Sequence, residues 1–293
     1  MSVAVIIPIY NAQKYISEAI DSCLLQNEVK QIILVDDGSE DDSLKICQKI
    51  AKKYNHIYVH SHKKNKGRSA ARNAGMKIVK EAFFSFLDAD DYFRKNRFVK
   101  PFSFMNSHFE ADGVYEAVAS DLREDVSQEI YQERTGIKKG ILPEDLFSHL
   151  LLSDEHFSII GCTFRASSII GHFWFDESLG VGEDTDFLWQ LARTQSLLGI
   201  HSEPTVVRRV HSGNTAFNKP LSIKGKYHLY KKWKNNLENT NLPKKIKKKI
   251  ISSYSYYKSL YNSPNGDHRL IEQRLYQGVE FLKRPSLWPS FFR

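Results

Sequence analysis

The first ninety residues alternate between unbroken apolar runs and stripes of apolar residues at helical spacing. VAVIIPI, residues 3–9, has no polar position and predicts a strand buried on both faces. Tyr15, Ala19, Ile20, Cys23 and Leu24 then recur with helical period, and Asn11 is placed to cap that helix. QIILVDD, 31–37, predicts a second strand that ends in acid. Ser39 is placed to cap a helix running to about Tyr54, with Leu44, Cys47 and Ile50 inward. Ile57–His60 reads as a short third strand, and GRSAARNAGMKIVK, 67–80, as a helix of small residues able to pack closely on a sheet. Phe83–Leu87 is the fourth strand. Strand–helix alternation with short loops predicts a parallel α/β sheet wound in the doubly wound manner.

Ligands of such sheets bind outside the carboxyl ends of the strands. Pro8–Asn11, Asp36–Ser39 and Asp88–Asp91 all belong to that edge. Carboxylates gathered there raise one another's pKa values unless a cation neutralises them. A hard divalent metal that keeps some waters and takes phosphate oxygens fits such a set. The competing reading is structural: acids after strands cap the next helix, as Asp91 is placed to do, and Asp36 is placed to hold the loop at Gly38.

Composition adds little until it is divided along the chain. Of 293 residues, 41% are hydrophobic, ordinary for a globular protein, and no stretch has the apolar length of a membrane span. The apolar N-terminal run lacks a preceding basic residue and is interrupted by Pro8 and Asn11, so it reads as a strand and not as a signal peptide. Cys23, Cys47 and Cys162 are odd in number and widely spaced, which favours buried thiols in a reducing compartment over metal ligands or disulfides. The charge is unevenly placed: residues 219–293 hold 17 Lys and Arg against 4 Asp and Glu, or +13, and the remainder, with 25 against 30, carries −5. An acidic body bearing a basic extension points to an anionic partner for the extension.

The segments VIIPIYNAQKYISEAIDSCLLQ, IILVDDGSEDDS, NKGRSAARNAG and FLDADD, taken in order, resemble the N-terminal half of family-2 glycosyltransferases of the GT-A fold. GEDTDFLWQL, 182–191, and RRVHSGNTA, 208–216, are similar to that family's later motifs. The resemblance implies a Rossmann-like nucleotide-binding sheet with an acceptor-side subregion. The implied catalytic domain is 1–218, with 1–100 its nucleotide-sugar half and 101–218 its acceptor-side half. It implies transfer of a sugar from a nucleotide diphosphate, most simply a UDP-sugar, with inversion and with Mn²⁺ or Mg²⁺ as cofactor.

Carried over residue by residue, the resemblance makes Asp90 the metal ligand, with Asp88 at the donor ribose and Ala89 leaving room for the nucleotide. Asp37 would read the uracil edge. Pro8, Tyr10 and Asn11 would line the nucleotide pocket, although Tyr10 and Asn11 are equally suited to shaping the strand-to-helix turn. Lys66 and Arg72 would meet donor phosphate or sugar, or Arg72 would hold Asp36 or Asp88 in place. Asp184 would be the general base, with Glu183 at the acceptor or sugar, unless both simply cap the helix that follows. Trp189 would be an acceptor platform or a core residue. His211 would be a second metal ligand, and Arg208 and Arg209 would meet diphosphate or flank a strand.

Residues 219–293 fall outside the resemblance and read as a helical, basic, aromatic-rich extension, with KKWK, LPKKIKKKII, SYSYYKSLY and FLKRPSLWPSFFR. Lys interleaved with Trp, Tyr and Phe suits an anionic membrane surface, and the competing reading is a helical hairpin packed on the body. Nucleic acid is not expected as a partner. The expected partners are the nucleotide-sugar donor and a glycan or lipid-linked acceptor, and the expected location is cytoplasmic, peripheral on the inner face of the membrane. Two other functions compete. A sugar nucleotidyltransferase would need a Gly-rich basic phosphate loop after the first strand, which IPIYNAQKY does not supply. An inactive nucleotide-sugar-binding module would not need Asp88, Asp90, Asp184 and His211 together.

Overall fold

The computed structural model describes residues 1–122, 150–151, 158–200, 203–214, 218–238, 240 and 242–262. It divides into two compact units, Met1–Phe217 and Asn218–Arg293. In the first unit β1 (Val3–Ile9), β2 (Val29–Asp36), β3 (Ile57–Ser61) and β4 (Phe83–Phe86) alternate with α1 (Ile16–Leu24), α2 (Ser43–Ala51) and α3 (Arg68–Met76). There follow β5 (Tyr92–Phe93), α4 (Val99–Ser107), β6 (Gly113–Glu116), β7 (Val118–Leu122), β8 (Cys162–Arg165), the short α5 (Ala166–Ile169), α6 (Glu183–Ala192), β9 (Leu197–Ile200) and β10 (Val206–Val210).

A seven-stranded sheet runs in the order β3-β2-β1-β4-β8-β6-β9, and a three-stranded sheet in the order β5-β10-β7. The first four strands of the large sheet are parallel, as the strand–helix alternation predicts. Beyond β4 the sheet is mixed, because β8 pairs antiparallel with both β4 and β6. β1 is central and its residues Val3–Ile7 are fully buried. It tolerates Pro8 because pairing with β4 stops at Ile6, so the missing N–H is not needed on that side.

α3 lies close on the sheet. A side chain at Gly75 would meet Ile6 of β1 at 2.4 Å, which is why this helix is built of Ala and Gly. Two predicted caps are placed differently. α1 begins at Ile16 after Tyr15, and Asn11 instead has φ 50° and bonds to the loop after β2. α2 begins at Ser43 after Asp42, and Ser39 Oγ accepts the Asn11 N–H at 3.0 Å. Short polar side chains at the sheet edge had two uses open to them, and binding the neighbouring loop won over capping.

An ion pair of Arg97 with Glu116, both buried, ties the chain after β5 to β6, and the Arg97 guanidinium also donates to the Gly161 carbonyl at 3.1 Å. Cys23, Cys47 and Cys162 are free and buried, and burial pushes the Cys47 and Cys162 thiols up to about 12. The stretch LPEDLFSHLLLSDEHF, read as a helix and loop, lies almost wholly outside the described residues; Leu150 and Leu151 are helical.

The second unit contains α7 (Lys219–Asn235) and α8 (Lys244–Tyr261), two helices packed on each other. α7 is capped by Asn218, whose Oδ1 accepts the Leu221 N–H at 3.1 Å, with Pro220 in its first turn. Trp288, Phe291 and Phe292 lie outside the described residues. Among the described residues no helix is long and apolar enough to cross a membrane.

Candidate functional site

The acids at the ends of β2 and β4 meet different fates. Asp36 and Asp37 are buried. Asp36 Oδ2 accepts the Ser39 N–H at 3.2 Å, holding the turn where Gly38, at φ +74°, lies on the backbone of Lys64 and Asn65. Asp37 Oδ1 meets His62 Nδ1 at 2.7 Å and accepts the Lys66 N–H at 3.0 Å, and its Oδ2 accepts the Gly67 N–H at 2.7 Å. Asp37 thus organises the loop before α3, which leaves little of it open to a uracil edge. The Lys66 side chain is exposed.

At β4 the carboxylates keep part of their surface. Asp88 is about one-third exposed and accepts from Arg72 at 2.9 Å. Asp90 Oδ2 lies 3.1 Å from His211 Nε2. Asp91 is buried and accepts the Arg209 N–H at 2.9 Å, so it joins β10 to this loop and does not cap a helix. Burial and the Asp88 charge raise the Asp90 pKa, and burial with Asp90 and Asp88 raises that of Asp91 well above its ordinary value. Ala89 between them is buried at the same turn.

His211 is placed by three contacts that its own sequence position does not announce. Its ring stacks on Tyr15 of the β1–α1 connection at 5.1 Å and 24°. Asn214 Oδ1 accepts the His211 backbone N–H at 2.7 Å, and Asn214 Nδ2 lies 3.2 Å from both Asp90 Oδ2 and His211 Nε2. Arg209 is fully buried, donates to the Asp90 carbonyl at 2.8 Å, pairs with Glu18, and lies over Tyr15 and Tyr92. Arg209 is therefore scaffold and does not face a diphosphate. Tyr15, Glu18 and Asn214 were not predicted. An Asn three residues after a His in a turn is the one signal that pointed to Asn214.

Arg72 joins the two halves of the edge. It is 2% exposed; Nη2 donates to Asp88 and Nη1 donates to Glu183 Oε1 at 2.8 Å. Burial opposes its charge, but Asp88, Glu183 and Asp184 hold it protonated more firmly than usual. Glu183 is itself buried at the start of α6, and burial with the Asp184 charge raises its pKa. It supports Arg72 and has no surface for an acceptor, contrary to its predicted role. Trp189, 4% exposed on the same helix, takes the core alternative and not that of an acceptor platform. Asp184 stays part-exposed and accepts the Thr185 N–H at 2.7 Å. Gly182, at φ 87°, makes the turn into α6. Asn73 of α3 fixes the approach to that turn: its Nδ2 donates to the Phe175 carbonyl and to Glu177, both at 2.9 Å. Pro8 is half-buried, while Tyr10 (46% exposed) and Asn11 lie open at the end of β1.

Among the described residues no group of three or more His, Cys, Asp or Glu side chains is set to hold a metal. The Asp90–His211 couple nonetheless offers a divalent cation such as Mn²⁺ a carboxylate oxygen and an imidazole nitrogen 3.1 Å apart, both part-exposed.

A parallel nucleotide-type sheet, continued past one antiparallel strand and carrying an Asp-Ala-Asp turn at its carboxyl edge, is the GT-A architecture. The family profile described as "Glycosyl transferase family 2" matches residues 4–172, more than half of the chain, and the chain belongs to that family. It is 32% identical over 222 residues to "Uncharacterized glycosyltransferase RP339" of Rickettsia prowazekii, a match covering 74% of this chain and 67% of that protein. It is 30% identical over 221 residues to "Minor teichoic acid biosynthesis protein GgaB" of Bacillus subtilis, covering 73% of this chain but only 23% of GgaB. In fold it is similar to S. aureus TarS 1–349 in complex with UDP-GlcNAc, with TM-score 0.67 and 21% identity over 93% of this chain and 78% of that one. The mannosyltransferase PcManGT of Pyrobaculum calidifontis, in complex with GDP-Man and Mn²⁺, gives TM-score 0.59 at 14% identity over 98% of this chain and 83% of that one.

Proposed function

We propose that this chain moves a sugar from a UDP-sugar to a hydroxyl of a glycan or lipid-linked acceptor, in one inverting displacement that depends on a divalent cation. The observation that carries the reading is the Arg72 bridge, which brings the Asp88–Asp90 turn and the Glu183–Asp184 helix start to one edge. The donor class is supported by the TarS complex with UDP-GlcNAc, and a surface-polymer acceptor by the name of GgaB.

In this reading Asp184 takes the acceptor proton, with Oδ1 held by the Thr185 N–H and Oδ2 left for the hydroxyl. The acceptor oxygen forms a bond to the anomeric carbon from one face. The bond to the diphosphate oxygen breaks on the other face, and its electron pair leaves with the nucleotide. Asp90 and His211 would hold Mn²⁺ or Mg²⁺, which supplies charge neutralisation for the leaving diphosphate. Arg72 keeps Asp88 oriented toward the donor and keeps the α6 start in register with it. Tyr10 offers an exposed ring at the nucleotide end, and Lys66 an exposed ammonium near the phosphates. A cytoplasmic location belongs to the same reading, since nucleotide sugars are the donors.

The test is release of nucleoside diphosphate from a panel of nucleotide sugars with Mn²⁺. Release from UDP-sugars, lost on chelation, is expected. Donor binding without release would favour the inactive-module reading, and neither binding nor release with any donor would overturn both. The nucleotidyltransferase alternative predicts no nucleoside diphosphate from these donors, and pyrophosphate only when a nucleoside triphosphate and a sugar 1-phosphate are supplied.

A further inference from the structure

The α7–α8 hairpin has a composition that the transfer reaction does not explain. Residues 219–262 hold 12 Lys, no Arg and a single acid, Glu238. Lys224, Lys231, Lys234, Lys244, Lys245, Lys248 and Lys258 are all exposed. Between the helices runs a seam of stacked phenols. Tyr254 stacks on Tyr227 at 5.9 Å, and Tyr227 stacks on Tyr261 at 4.6 Å and 10°. Tyr230 stacks on Tyr257 at 5.6 Å. The ammonium groups lie on these rings: Lys231 is 5.8 Å from Tyr227, and Lys234 and Lys258 are 4.4 and 5.9 Å from Tyr254. The rings attract the cations and narrow their freedom while leaving the charge in water.

We infer that this hairpin is a binding surface for a linear, phosphodiester-linked polyanion. Three observations favour that occupant. The charge is one-signed along two helices of 17 and 18 residues, each about 25 Å long at the α-helical rise. That length suits a chain of repeated charges better than a single small anion. The cations are all Lys, compact point charges that follow phosphates without the fixed bidentate geometry of Arg. A bilayer fits less well, because an interfacial helix needs a free apolar face. Here Ile223, Leu229, Trp233, Ile246, Ile250 and Leu260 are buried, and the exposed large hydrophobics are only Leu221, Ile251 and Tyr261 among the described residues of the hairpin. Within residues 219–262 this disfavours the expected interfacial helix pair. Resting on the proposed transfer activity, the surface then serves as a handle for an anionic polymer acceptor, raising its local concentration at a catalytic unit on the same chain.

The experiment uses the full-length protein and a labelled synthetic poly(glycerol phosphate), read by fluorescence anisotropy. Competitors are uncharged dextran, single-stranded DNA of equal charge, and phosphatidylcholine vesicles containing phosphatidylglycerol. If four phosphates are neutralised, affinity should fall about fifty-fold between about 50 and about 200 mM salt. K231E/K234E should make the slope of log affinity against log salt shallower by about 1.4, with the thermal melt and donor hydrolysis unchanged. K224E/K258E repeats the test should the first pair fail to fold. Absence of polymer binding at low salt, wild-type slopes in both variants, or stronger competition by vesicles or DNA than by unlabelled polymer would each overturn the inference. Polymer binding that behaves as expected in a protein that never turns over donor would sustain the surface and defeat the transfer reading alone.

Discussion

β2 and β4 end alike on paper, each an apolar run closed by two or three aspartates, yet the two ends are built for different work. At β2 the carboxylates turn inward and accept backbone N–H groups of the following loops. At β4 Asp88 and Asp90 stay part-exposed, and their partners are side chains: Arg72, His211 and Asn214. A carboxylate satisfied by backbone donors is committed to the fold. One whose partners are side chains at an open edge can exchange them for a ligand. The difference lies in the partners, and the aspartates themselves do not display it.

Substitutions can break this comparison, and the largest effects are expected at the β4 edge and its facing helix. Asp184→Asn should cut transfer by about 10²–10⁴-fold, the usual range for loss of a general base, while UDP affinity measured by calorimetry is retained. Equal transfer by the variant would give the proton to another group. Asp90→Asn should lose about 10²-fold or more of the Mn²⁺-dependent rate, on the scale of a lost transition-state charge contact, with an unchanged unfolding midpoint. A wild-type rate at saturating Mn²⁺ would remove Asp90 from the metal. Asp37→Ala should instead show itself in stability, lowering it by about 2–3 kcal/mol in urea unfolding because the Lys66 and Gly67 N–H groups and the His62 ring all lose a charged acceptor. If stability holds while UDP affinity collapses, Asp37 belongs with the donor-reading residues, and the two strand ends are more alike than their hydrogen bonds indicate. The mildest is His62→Gln, which removes one partner of Asp37 and should cost about 1 kcal/mol with turnover intact.

The amount of this that could be read in advance follows from how local each feature is. β1 to β4 and α1 to α3 were legible because apolar periodicity and strand length are properties of single segments. Asp90, His211 and Asp184 could be nominated as a set only through the resemblance, since residues so far apart in sequence carry no local sign of one another; the structure pairs Asp90 with His211 and sets Asp184 beside Glu183, the partner of Arg72. Glu183 was open between the acceptor, the sugar and a cap, and Trp189 between an acceptor platform and the core; burial on α6 gives the first to Arg72 and the second to the core. Asn11 and Ser39 looked like caps because their side chains suit that use, and nothing local told that two loops would bond across the sheet edge. The second sheet, β5-β10-β7, joins strands more than eighty residues apart, with pairs such as Val206 and Val118, and no segment on its own announces it.

That cross-edge bonding carries one more implication. Asn11 exchanges two hydrogen bonds with Ser39 and Glu40, Gln13 exchanges two with Asp41 and Asp42, and Ala12 donates to Ser43 at 2.8 Å. The loops after β1 and β2 are laced together before any nucleotide arrives. A ligand settling there meets a floor that is already preorganised, so little ordering entropy opposes its capture. On the proposed reading, discrimination among bases would then rest on a fixed outline, and adaptability would be left to whatever part of the chain receives the other substrate.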